Sequence, residues 1–177
     1  MKQKFDTGSI STLEKIKKSG YKSVTIREEM RNNLISMLKH GKTPFEGILG
    51  FEDTVLPDME RAILSGHNIL LLGLRGQAKT RMARQMINLL DEYIPVVKGS
   101  ELNDDPLAPL SRFAIDLIAS SGDETPITWM HRSERYVEKL ATADVSVADL
   151  IGDVDPIKAA SLKLPYSDER VIHFGLI

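Results

Sequence analysis

The chain contains no cysteine, and that single absence excludes a disulfide framework, cysteine-ligated zinc and a thiol nucleophile. Its histidines, His40, His67, His131 and His173, are too scattered to form a ligand pair at helical i, i+4 spacing. Any metal must therefore be held by carboxylate, hydroxyl or phosphate oxygen. No apolar run approaches the roughly 20 residues that a bilayer-spanning helix needs, and no signal-type apolar segment follows Met1. The expectation is a soluble, cytoplasmic protein without a membrane partner. No serine stands in a strand-to-helix elbow, so a Ser-His-Asp hydrolase is not indicated.

What is present is charge, unevenly spread. The 177 residues suffice for one domain with a real core and a short appendage, and their net charge is only −2. Residues 1–43 hold a balance of +6, which leaves −8 for the remainder. Such a basic arm suits an acidic partner or nucleic acid, but aromatic residues are scarce among its lysines. A solvated helical face is the plainer reading, and nucleic acid is not the expected partner.

Periodicity divides the chain at about residue 43. In the arm, Thr25 and Glu28 have capping-box spacing, and Ile26, Met30, Leu34, Met37 and Leu38 recur at helical intervals until Gly41. Lys42-Thr43-Pro44 reads as a boundary between a helical extension, 1–43, and an α/β region, 44–177. There the pattern predicts a helix over about 52–64, a strand at Ile69–Leu72 and a helix over about 80–93. Farther on, PLSRFAIDLIASSG predicts a short helix, and a second strand is expected within 127–140. A helix capped by Ser146, a break at Gly152 and another turn after Pro156 complete the pattern.

Between the predicted strand and helix stands GLRGQAKT, Gly73 to Thr80. The layout is that of a phosphate-binding P-loop, G-x-x-x-x-G-K-[ST], with Ala78 in place of the second glycine. That chemistry needs backbone N–H groups converging on polyphosphate, a lysine reaching the terminal phosphates and a hydroxyl on Mg²⁺. Gly73 and Gly76 permit the close turns, while Lys79 and Thr80 lie at the required spacing. Alanine at 78 costs little provided its φ is negative. Arg75 adds a cation beside the loop, facing solvent, phosphate or a neighbouring subunit.

The stretch FEGILGFEDTVLPDMERAILSGHNILLLGLRGQAKTRMARQMINLL resembles the opening of an AAA+ ATPase module of the magnesium chelatase ATPase subunit and MoxR-like clade. An AKT ending is familiar among MoxR-like members, and EKLATADVSVADLIGDVDPIKAA resembles a chelatase-type segment carrying Asp149, Ile151, Gly152 and Asp155. The resemblance covers roughly residues 45–177. It implies a P-loop NTPase fold, a three-layer αβα core, incomplete here, that binds ATP and Mg²⁺. The implied nucleotide-binding set is Gly73, Gly76, Gln77, Ala78, Lys79, Thr80 and Arg81, with Ile48, Leu49 and Gly50 near adenine and Thr80 on the metal. A hexameric homo-oligomeric ring, and a partner with a von Willebrand A domain, are also implied.

Hydrolysis requires more than this chain supplies. A Walker B strand ends in Asp-Glu, whose carboxylates orient Mg²⁺ and polarise the attacking water. FAIDLIA has an apolar run and an aspartate, but Leu117 occupies the glutamate position and the period is helical. No catalytic residue is therefore assigned. The expectation is that these residues are the N-terminal part of a longer ATPase, inactive alone; a naturally truncated, non-hydrolysing nucleotide-binding module and a DNA-associated AAA+ transcription regulator are the alternatives. The aspartate pairs Asp104-Asp105 and Asp153/Asp155 read as turn residues.

Overall fold

A computed structural model describes residues 8–176. In chain order these form α1 (Leu13–Ser19), α2 (Ile26–Lys39), α3 (Val55–Leu64), α4 (Lys79–Gln85), β1 (Tyr93–Val97) and α5 (Arg112–Ser121). Then come β2 (Ile127–His131), α6 (Val147–Ile151), β3 (Asp153–Val154), α7 (Pro156–Leu162) and β4 (Ile172–His173). Two packing units divide the chain: residues 22–94 with 131–133, and residues 8–21, 95–130 and 134–176. Among the described residues no helix is long and apolar enough to cross a membrane.

The first unit is built on helices. Thr25 caps α2 reciprocally with Glu28, each side chain taking the other's backbone N–H. Leu34 of α2 is fully buried and shares one core with Phe45, Ile48, Leu56, Met59, Ile63, Met82 and Leu89. The division expected at residue 43 thus does not separate packing units: α2 belongs with the residues that follow it. The physical reason is that its apolar stripe, Met30, Leu34 and Met37, finds its cover on α3 and on the turn after α4.

Two helices are shorter than their periodicity predicts. The helix expected from 52 starts at Val55, because Phe51 first closes a turn by accepting the N–H groups of Thr54 and Leu56. The helix expected to reach 93 ends as α4 at Gln85, tightens into a 3₁₀ turn over Met86–Leu89 and then extends. Side chains of α2 impose that ending: Asn33 donates to the Leu89 carbonyl at 2.8 Å and to Asp91 Oδ1 at 2.9 Å, while Glu29 accepts the Asp91 N–H at 2.6 Å. Such tertiary capture outweighs local propensity.

The predicted strand at Ile69–Leu72 is not formed. Its residues still alternate between half-buried (Ile69, Leu71) and exposed (Leu70, Leu72), the period of a strand without a ladder.

In the second unit, β3 pairs antiparallel with β4, Asp153 opposite His173 and Val154 opposite Ile172. The other sheet is the pair β1–β2. The short helix expected within 109–122 is present as α5, and the second strand expected within 127–140 as β2. Ser146 caps α6 through a second capping box with Asp149, and α7 opens after Asp155 with Pro156 in its first turn.

Candidate phosphate-binding loop

The Gly73–Thr80 segment leaves the core at Leu71 and returns to it at Ala78, which packs against the core beside Met82 and Met86. Gly76 takes φ +80°, and Ala78 adopts a left-handed conformation, φ +54° and ψ +13°, immediately before α4. The condition under which alanine costs little, a negative φ, is not met: the Ala78 methyl is held where an L residue is strained by about 1–2 kcal/mol. The N–H groups of Arg75, Gly76 and Ala78 donate to no acceptor among the described residues.

The hollow of the loop holds two side chains. Lys79 Nζ donates to the Gly73 carbonyl at 2.9 Å and also to that of Leu74. The Gln77 amide lies against Gly73, its Oε1 occupying the place that an added Cβ would take. Thr80 and Arg75 are exposed. The loop therefore presents an ammonium, an exposed hydroxyl and unengaged backbone donors on one short segment. Their chemistry fits a polyphosphate with its divalent cation, in which phosphate oxygens exchange for the carbonyls that Lys79 now contacts.

The segment Ile48–Gly50 is reached from α4 through its neighbours. Arg81 donates to the Glu46 carbonyl at 3.3 Å and Gln85 Nε2 donates to the same oxygen at 2.7 Å. Arg81 lies so close over Gly47 that a Cβ there would stand 2.7 Å from Nη2. Of the three candidates near a base, Ile48 is buried in the core, Leu49 is 81% exposed, and Gly50 turns at φ +83°. Gly47 and Gln85 escape sequence reasoning, since neither lies in the loop motif and their contacts, with Arg81 and with the Glu46 carbonyl, depend on folding.

Elsewhere the carboxylates serve the fold. Asp116, the aspartate of FAIDLIA, sits on α5 in an exposed 3.1 Å ion pair with Arg112, so that run is a helix as its period predicts. Asp149 caps α6, and Asp155 Oδ1 accepts the N–H groups of Ile157 and Lys158 at 2.8 and 3.1 Å. Ile151 is 63% exposed, while Gly152 turns at φ +95° with the His173 carbonyl where a Cβ would go. Asp105 Oδ1 accepts the Leu107 N–H, and Asp153 Oδ1 that of Val154.

Asp104 does more. It is buried and accepts Ser100 Oγ at 2.5 Å, Ser111 Oγ at 2.6 Å, and the N–H groups of Leu110 and Ser111 at 2.6 and 2.8 Å. Burial pushes this carboxyl up, but the two hydroxyls and two N–H groups outweigh it and hold it below its ordinary value. Among the described residues no group of three or more His, Asp or Glu side chains could hold a metal, so Thr80 remains the candidate metal residue. No known family model, curated protein or solved structure matches the chain.

Proposed function

We propose that residues 44–177 are the ATP-binding part of an AAA+ P-loop core of the magnesium chelatase/MoxR type. The protein is a cytoplasmic ATPase that forms homo-oligomeric rings and couples hydrolysis to remodelling a partner protein or a metal-insertion complex. The observation that carries the reading is the Gly73–Thr80 loop, where the Lys79 ammonium, the Thr80 hydroxyl and the unengaged N–H groups of Arg75, Gly76 and Ala78 occur together. ATP with Mg²⁺ supplies the reacting triphosphate. Lys79 neutralises β- and γ-phosphate charge, Thr80 orients the cation, and the loop amides fix the phosphate chain. Arg81 and Gln85 anchor the turn that precedes Ile48–Gly50, which supports a role for that segment beside the base.

The test is direct binding of a fluorescent ATP analogue with and without Mg²⁺. Lys79→Ala should abolish binding while leaving the helical circular dichroism intact. Unchanged affinity would sink the cradle. Against the DNA-associated alternative, three of the arm's cations have nearer partners: Lys17 pairs with Asp123 at 2.6 Å, Arg27 donates to Asn68, and Arg31 to the Leu64 carbonyl.

A further inference from the structure

Among the described residues, Gln85 Oε1 is the buried side-chain polar atom left without a hydrogen-bond partner. It is not at liberty to turn toward one. Gln85 Nε2 donates to the Glu46 carbonyl at 2.7 Å, and that bond fixes the plane of the amide and the side on which Oε1 stands. An acceptor buried in this way costs free energy until a donor meets it. Native chains keep such an atom where a water or a ligand completes it.

Its place argues for a ligand. Gln85 lies one helical turn beyond Arg81 on α4, and both side chains end on the same Glu46 oxygen, Arg81 Nη2 at 3.3 Å. They meet at the turn that leads into Ile48–Gly50. Five residues separate Gln85 from Thr80, about 7.5 Å along a helix, a length that the sugar of a nucleotide bridges between phosphate and base. Gly47, which has no Cβ, gives the Arg81 guanidinium room to lie there. Arg81 is exposed and is held to Glu46 by the longer of the two bonds, so it is the side chain that yields when a base arrives.

We infer that Gln85 reads the base of the bound nucleotide, its Oε1 accepting the exocyclic amino group of adenine. The inference rests on the triphosphate reading of Gly73–Thr80 and adds the base to it. A glutamine amide has two N–H groups and an acceptor oxygen; Glu46 engages one N–H, which leaves a donor and an acceptor side by side. Adenine matches that pair with N7 and its 6-amino group, whereas guanine and hypoxanthine set a 6-oxo acceptor against Oε1. Two acceptors facing each other away from water leave both unsatisfied, so the wrong base adds to the cost that Oε1 already carries.

The test is titration calorimetry of the 177-residue chain, with Mg²⁺, against ATP, ITP and inorganic tripolyphosphate. ITP carries an oxo group in place of the 6-amino group, and tripolyphosphate has no base. ATP should bind at least about tenfold tighter than ITP. Gln85→Met keeps the length of the side chain without its amide, should retain the helical circular dichroism, and should bring the ATP and ITP affinities together. A check that needs no variant is N6,N6-dimethyl-ATP, which has no 6-amino hydrogen and should bind the wild-type chain as weakly as ITP. Equal affinity for ATP and ITP, or for ATP and its dimethyl analogue, overturns the inference alone where tripolyphosphate binds and Lys79→Ala abolishes that binding. An ATP preference that survives in Gln85→Met assigns Oε1 to a buried water and overturns it too. Binding of none of the three ligands overturns the phosphate loop and the base reading together.

Discussion

Lys79 reaches back over its own loop to the carbonyl oxygen of Gly73, 2.9 Å from the ammonium. The contact ties a cation to the place where the motif needs one. Replacing Lys79 by arginine keeps the charge but not the compact ammonium, and the planar fork does not fit two adjacent carbonyls. Lys79→Arg should therefore weaken the binding of Mg·ATP at least about tenfold, measured by titration calorimetry. Arginine that binds like the native lysine would show that charge alone, rather than the reach to Gly73, fixes the phosphates.

Ala78 gives the opposite prediction, a gain. Its φ of +54° is one that glycine adopts freely and alanine does not. Ala78→Gly, which restores the full motif, should raise stability by about 1 kcal/mol in urea unfolding and leave ATP affinity equal or higher. A loss of stability would mean that the methyl's packing against the core outweighs the strain.

Asp104 contributes to acid stability in its own unit. Its carboxyl is held below the ordinary value of 3.8, so at falling pH the unfolded chain takes up the proton first. The stabilisation is complete above about pH 4 and is lost as pH falls through the lower folded value. Asp104→Asn should flatten stability against pH below about 4, and Asp104→Ala should cost about 3 kcal/mol at pH 7 by stranding buried donors. Denaturant melts between pH 2 and 7 check both; an unchanged slope below pH 4 in the asparagine variant would remove Asp104 from the acid response.

Turnover provides a separate test. Asp116 stands on a helix and pairs with Arg112, so FAIDLIA does not supply the Walker B carboxylates that orient Mg²⁺ and water. The purified 177-residue protein should release no phosphate from ATP above background, even where it binds the nucleotide. Phosphate release that persists in wild type and disappears in Lys79→Ala would refute this and start a search for another water-activating group.

Local signals were legible in the sequence, and distant ones were not. Thr25 with Glu28, and Ser146 as the cap of its helix, announce helix starts because the partners lie within one turn. The early end of α4 could not be read, because Asn33 and Glu29 act on Leu89 and Asp91 from far upstream. A strand at 69–72 is spelled out by its leucines, yet a strand exists only with a neighbour, and none pairs with it among the described residues. At the candidate site the residue types were legible. The left-handed turn of Ala78, the position of Gly47 beneath Arg81 and the return of Lys79 to Gly73 depend on backbone geometry that spacing does not encode.

The grip of α2 on the segment after α4 has a practical corollary for the basic arm. Cutting the gene to begin near Thr43 would strip Leu34 from the core and free the Leu89 carbonyl and the Asp91 N–H, so lost binding in such a truncation would report collapse. The arm's electrostatics must be erased in place, by neutralising exposed cations such as Lys39 and Lys42 while Glu29, Asn33 and Leu34 stay. A truncation series and a charge-neutralised series should thus disagree, and the gap between them measures how much of this supposed appendage is scaffold.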